Sequence, residues 1–325
     1  METTPIPKPF ASSSDLDAKA ATLDELADGV FAFTAQGDPN VGCIVGPDSL
    51  AVIDARATPA HAQEWIDVIR SEISDKPIKY IILTHYHAVR TLGASAYGAE
   101  HIIAHEGTLR LITERGEQDF ESEARRFPRL FMDIDSIPGL TWPTMTFTDR
   151  MSLQFGSRRI DLVHYGRGHT EGDIGIHLPD DGVLFAGDLV EANTAPYCGD
   201  AFLQEWMTTT LDRVAAVGAT KIVGGRGGTV HGDDIPVAIE ETRAYLVTLR
   251  DAVYEVVVRE GSLKEAFDAA YAALQPRFGE WFIFEHCIPF NVARMYDELA
   301  GYRPRIWTAS RDQEVWAELQ LGEAP

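Results

Sequence analysis

The sequence predicts an α+β fold, a sheet-rich domain followed by a purely helical carboxy-terminal extension. Three observations carry this. Short β-branched and aliphatic runs, separated by Gly, Pro, Asn and Asp turns, recur from about residue 25 to about residue 225. Among them, the order strand, helix, strand gives a parallel unit. Beyond about residue 234 only helical spacing remains.

Composition narrows the function classes. With 325 residues and 45% apolar content, the chain is long enough for one large domain plus an appendage. A formal charge of −22, with 50 acidic against 28 basic residues, argues against a nucleic-acid surface. The three cysteines, Cys43, Cys198 and Cys287, are widely spaced and form no paired motif, as in a reducing compartment. The amino terminus lacks the charged-then-apolar pattern of a signal peptide, and no apolar run approaches the roughly 20 residues of a membrane span. The expectation is a soluble, cytoplasmic protein without a membrane partner.

Residues 1–24 mix Pro, Ser, Ala and Asp and read as a loosely packed lead-in. Gly29 to Phe33, Gly42 to Val45 and Leu50 to Ile53 are short strands with turns such as Gly46-Pro47-Asp48. Thr58 caps a helix that Pro59 opens, with Trp65, Ile66 and Ile69 facing inward. The strand 78–83 then ends in Thr84-His85-Tyr86-His87. Alternate residues of an extended segment point the same way, so His85 and His87 can reach one metal ion together. An Ala-rich helix starting near Thr91 leads to a buried strand over His101 to His105. Residues 106–127 are charged and helical, whereas 128–143 are broken by prolines and carry Phe131, Met132, Leu140 and Trp142. That stretch reads either as a lid over a substrate or as a packed surface excursion.

A second β run covers 145–148, 151–155 and 159–165 and ends in Gly166-Arg167-Gly168-His169-Thr170-Glu171-Gly172-Asp173, where glycines let the backbone turn tightly. Strands 174–178 and 183–186 lead to Gly187-Asp188. A helical pattern over 202–217 stops at Gly218, and the last core strand, Lys221 to Val223, runs into Gly224-Gly225-Arg226-Gly227. In the extension, Asp234 and Pro236 open a helix with Ile239, Leu246, Leu249, Val253 and Val256 on one stripe. Ser262 and Glu265 form a capping box for the next helix, and a third spans 289–299.

Thr-His-x-His at 84–87, Gly-x-Gly-His-Thr-x-Gly-Asp at 166–173, Gly187-Asp188 and the glycine-rich loop at 224–227 resemble, in this order, the motifs of the metallo-β-lactamase superfamily. The resemblance implies a four-layer αβ/βα sandwich over residues 25–235. Residues 236–325 then form a helical extension that covers the domain or makes it a homodimer. It implies metal ligation by His85, His87, His169 and Asp188, and for Asp54 a bracing role behind the metal loop, helix entry being its other reading. The chain departs from the family where Val89 and Arg90 replace the Asp-His pair of the second metal, and where Arg226 replaces the final histidine.

The expected centre is therefore mononuclear, with Zn²⁺ first and Fe²⁺ second. Asp188 is its fourth ligand or a general base. Arg90 and Arg226 either grip a substrate or stabilise an oxyanion, or fill the vacated position and pair with Asp188 or Asp54. The function this implies is a metal-dependent hydrolase that activates water at the metal and cleaves a small, anionic ester, lactone, amide or thioester. The alternatives are an iron oxygenase resembling the persulfide dioxygenases and a non-catalytic binding protein with a sealed site. His231 and His286 are read as neighbours of the site and not as ligands.

Overall fold

The computed structural model describes residues 11–320, and in it the strand runs assemble into two sheets. The first holds β1 (Ala21–Ala27), β2 (Val30–Ala35), β3 (Val41–Val45), β4 (Leu50–Ile53), β5 (Ile78–Ile82), β6 (His101–His105) and β7 (Met145–Phe147), side by side in that order. The second holds β8 (Arg150–Phe155), β9 (Arg158–Val163), β10 (Gly175–Leu178), β11 (Val183–Gly187), β12 (Lys221–Gly224) and β13 (Val230–His231), also in sequence order. Hairpins make β1 to β4 antiparallel, and the pairs β4 with β5 and β5 with β6 are parallel, as the strand, helix, strand order requires.

Helices complete the layers. α1 (Pro59–Val68) crosses from β4 to β5, with Thr58 Oγ1 accepting the His61 amide as its cap and Pro59 in the first turn. Trp65 is fully buried on its inner face and stacks on Phe33 with ring centroids 5.0 Å apart. α2 (Ala88–Thr91) is the single turn that follows the His-x-His pair, and α3 (Glu106–Arg126) the long charged helix. The helical stretch after β11 is interrupted: α4 (Leu203–Glu205) and α5 (Leu211–Ala215) flank a wider π turn. One apolar core lies between the sheets, where Ile44, Ile53, Ile82 and Ile103 meet Ile160, Leu162, Ile176 and Phe185. A second packs α1 against the outer face of the first sheet.

The third core binds the extension to the domain. α6 (Asp234–Val257), α7 (Leu263–Phe278), α8 (Phe284–Leu299) and α9 (Ala309–Gln320) make up this region. Ile239, Leu246, Leu249, Val253 and Val256 of α6 lie in one continuous cluster with Leu184 and Ile222 of the second sheet and with Phe278, Ile288 and Phe290. The stripe read from the sequence thus faces the molecule's own core. The capping box is present, with Ser262 Oγ accepting the Glu265 amide and the Glu265 carboxylate accepting the Ser262 amide. Ser262→Ala is expected to lower stability by about 1 kcal/mol, readable as a shift in the urea midpoint.

Four expectations change. β1 begins at Ala21, inside the expected lead-in, of which residues 1–10 lie outside the described residues. The short β13, which pairs antiparallel with β12, was not expected. α8 starts at Phe284, five residues before the proline read as its first position; Pro289 is accommodated inside the helix because the surrounding face, Phe284, Ile288 and Val292, is buried in the core. α9 was not foreseen because its sequence is largely polar; it is pinned instead by Asp312, whose carboxylate accepts from Ser122 at 2.8 Å and from Arg125 at 2.7 Å.

Candidate metal centre

The His-x-His pair sits just past β5, where the chain leaves the sheet between the two layers. Asp54, at the end of β4, accepts the Thr84 amide at 2.8 Å and the Thr84 hydroxyl at 2.8 Å, so the bracing reading of Asp54 holds. Thr84 Oγ1 in turn accepts from His85 Nδ1 at 3.0 Å. His169 Nδ1 donates to the Tyr197 carbonyl at 2.7 Å, and His87 Nε2 donates to Asp200 Oδ2 at 3.3 Å. Each ring is therefore held by one nitrogen and turns the other inward. The three inward nitrogens, His85 Nε2, His87 Nδ1 and His169 Nε2, converge.

His87 Nδ1 and His169 Nε2 stand 2.9 Å apart, while His85 Nε2 is buried with no hydrogen-bond partner. Two lone pairs cannot face each other at that distance without a proton or a cation between them, and an orphaned buried nitrogen completes a three-imidazole donor set. The residues fit a divalent metal ion. Burial opposes a positive charge on His87, but the carboxylates of Asp119, Asp200 and Glu123 outweigh it and raise His87 to about 9. Burial drives His169 down to about 3 and His85 well below the ordinary range, against the pull of Asp188.

Asp188 follows β11, and its Oδ2 lies 3.5 Å from His169 Nε2 and 3.8 Å from His85 Nε2. Arg90 pairs with its Oδ1, and Arg226 Nη1 reaches its Oδ2 at 3.1 Å. Burial would raise the Asp188 carboxyl, yet Arg90, the two histidines and Arg226 hold it well below the usual range. Close packing makes this possible: Gly187 is left-handed at φ +55°, and any side chain at Gly225 would collide with both Asp188 and Arg90.

The arginines correct part of the sequence reading. Arg90 has no exposed surface, and besides Asp188 its donors go to the Asn40 carbonyl at 3.1 Å and the Gly225 carbonyl at 2.8 Å. Its two Nη groups are thus committed to Asp188 and to these carbonyls, with Asp54 Oδ2 3.7 Å from Nη1, as the space-filling reading expects, while its Nε is buried without a hydrogen-bond partner. Arg226 is 4% exposed and bridges Asp188 to Glu191, whose Oε1 is 3.5 Å away. Burial and the charge of Asp188 push Glu191 up to about 8, against the pull of Arg226.

A second tier of carboxylates was missed. Asp119 and Glu123, one turn apart on α3, accept the Ala88 amide at 2.7 Å and the Val89 amide at 2.8 Å, the free N–H groups that open α2. Asp200 is held by Arg115 at 2.9 Å. The i, i+4 spacing of Asp119 and Glu123 in a charged helix was the available signal. Asp200→Asn is expected to weaken metal affinity 10- to 100-fold with the fold intact, by competition against a chelator of known affinity, because the amide no longer fixes the His87 ring as an anion does.

The excursion at 128–143 is packed in part, with Met132 and Trp142 left exposed. Leu130 and Phe131 are buried against Ala88, Val89 and Leu92, Arg129 pairs with Asp38, and Thr141 Oγ1 donates to the Thr91 carbonyl at 2.6 Å. His286 is buried and stacked on Phe127 at 3.8 Å, with its Nε2 3.5 Å from Arg126; His231 is exposed on β13. Neither is brought to the three histidines.

Comparison with known proteins decides the family. A family model described as the metallo-beta-lactamase superfamily matches residues 35–226. The chain belongs to this superfamily. Among curated metallo-beta-lactamase superfamily relatives, a metallo-beta-lactamase type 2 from Bacillus cereus is 24% identical over 214 residues, 62% of this chain and 75% of that protein. The 2,4-dinitroanisole O-demethylase subunit alpha of Nocardioides sp. is 26% identical over 167 residues, 51% of this chain and 43% of that protein. Among solved structures, a metallo-beta-lactamase from Pontibacter korlensis matches with a TM-score of 0.56 at 18% identity, covering 70% of this chain and 99% of that one. A metallo-beta-lactamase from Pseudomonas aeruginosa in its mono-zinc form gives 0.54 at 18% identity, covering 69% and 95%. These likenesses establish the α+β sandwich. Among the described residues, no helix is long and apolar enough to cross a membrane.

Proposed function

We propose that this superfamily member is a mononuclear metal-dependent hydrolase acting on a small ester, lactone, amide or thioester in the cytoplasm. The observation that carries the reading is the convergence of three imidazole nitrogens whose outer nitrogens are each fixed by a hydrogen bond. His85, His87 and His169, with Asp188 beside them, would hold one divalent ion. Zinc bound there acts as a Lewis acid and lowers the pKa of a coordinated water. Asp188 serves as ligand and not as general base, since two guanidiniums keep its carboxylate ionised and reluctant to accept a proton. Glu191 sits behind Arg226, its Oε1 3.5 Å from Nη1, and backs the second guanidinium.

A second reading rests on one observation: His85, His87, His169 and Asp188 are only 1–4% exposed, as expected of a sealed, non-catalytic site. One experiment separates the readings. The zinc-loaded chain is assayed against a panel of aryl esters, lactones, anilides and thioesters beside a His87→Ala, His169→Ala variant. Metal-dependent turnover lost in the variant supports the hydrolase. Turnover that appears only with iron and consumes oxygen assigns the oxygenase instead, and none with either metal leaves the binding protein.

A further inference from the structure

Two adjoining cavities of about 670 and 640 Å³ share Arg167, Phe202 and Arg303 and form one groove. Each lies in the size range of small-molecule sites. Six arginines line the groove, namely Arg110, Arg115, Arg167, Arg213, Arg294 and Arg303, against five acidic residues. The chain as a whole carries 50 acids to 28 bases, so this surface inverts its balance. All five acids are already matched: Glu114 and Asp200 both sit on Arg115, while Glu171, Glu205 and Glu298 sit on Arg110, Arg167 and Arg294.

Two guanidiniums are left without a carboxylate among the described residues. Arg213 donates only to the Tyr165 carbonyl at 3.2 Å. Arg303 has no hydrogen bond or ion pair to the described residues, and it lines both cavities. Guanidinium forks match carboxylate and phosphate oxygens two at a time. We propose that this groove binds a small molecule with two or more acidic groups, carboxylate or phosphate, held by Arg303 and Arg213. The groove is distinct from the metal centre but stands close behind it, since Arg115 in its wall holds the Asp200 that orients His87.

Calorimetric titration of the full chain with inorganic phosphate and, separately, with tricarballylate tests this. Saturable binding at one site per chain is expected for at least one probe, weakening as salt is added. Arg303→Ala should weaken it about tenfold, and Arg277→Ala, an exposed side chain on α7, should not. The tighter probe identifies the acidic group. Binding should persist in the His87→Ala, His169→Ala variant, which separates the groove from the metal site. Its loss there would place the anion on the metal and overturn the proposal, as would the absence of saturable binding or binding unchanged in an Arg213→Ala, Arg303→Ala double variant.

Discussion

Elemental analysis of the purified wild-type chain is expected to show about one zinc or iron ion per molecule, and a His87→Ala, His169→Ala variant none. The two substitutions remove two of three inward nitrogens and the contact that brings their rings together, while the outer partners Asp200 and the Tyr197 carbonyl remain. A single remaining imidazole beside a carboxylate already committed to two arginines is a poor site. Metal retained in the variant would place the ion elsewhere, and two ions per wild-type chain would contradict the filling of the second position by Arg90.

The second large effect is on stability. Arg90→Met is expected to lower the unfolding free energy by about 3–5 kcal/mol, because it leaves the buried Asp188 carboxylate with Arg226 alone and strands the Asn40 carbonyl, while the Gly225 carbonyl keeps only the Asn40 amide. Combining it with Asp188→Asn should recover part of that loss, since the variant then buries no unpaired charge. The sign of the pH dependence follows from the depressed Asp188 carboxyl. A group whose folded pKa lies below its unfolded value, about 4, stabilises above that pH and loses the contribution as pH falls through its folded value. The gap between wild type and Arg90→Met should therefore narrow on acidification below about pH 4, as read from urea curves. A gap that widens there would mean that Asp188 is not held ionised by Arg90.

How far the sequence reaches can be judged from particular residues. His85 and His87 were legible because a strand's two-residue period puts them on one side, and His169 and Asp188 because the glycine motifs that carry them, each past the end of a strand, resemble those of the superfamily. The residues that orient them were harder to see. Asp119 lies 31 residues from the amide it accepts and Asp200 113 residues from His87, on a helix and a loop whose docking depends on the whole fold. Arg90 could be placed in the site but not given a role, since whether a guanidinium meets a substrate or a carboxylate is set by burial. α8 was misplaced because Pro289 carries a local signal for a helix start that the packing of Phe284 and Ile288 overrides.

The Arg90–Asp188–Arg226 arrangement also changes what the cell must provide. A metal ion can be withheld, exchanged for another or removed by a chelator, whereas a guanidinium is inherited with the chain. Half of the charge that this pocket would otherwise gather from solution is thus written into the polypeptide, present from the moment of folding and indifferent to metal scarcity. On the mononuclear reading proposed above, the three-histidine side takes the ion, so loading should follow a single binding isotherm, and starvation for metal should leave the protein folded and ready to be charged again.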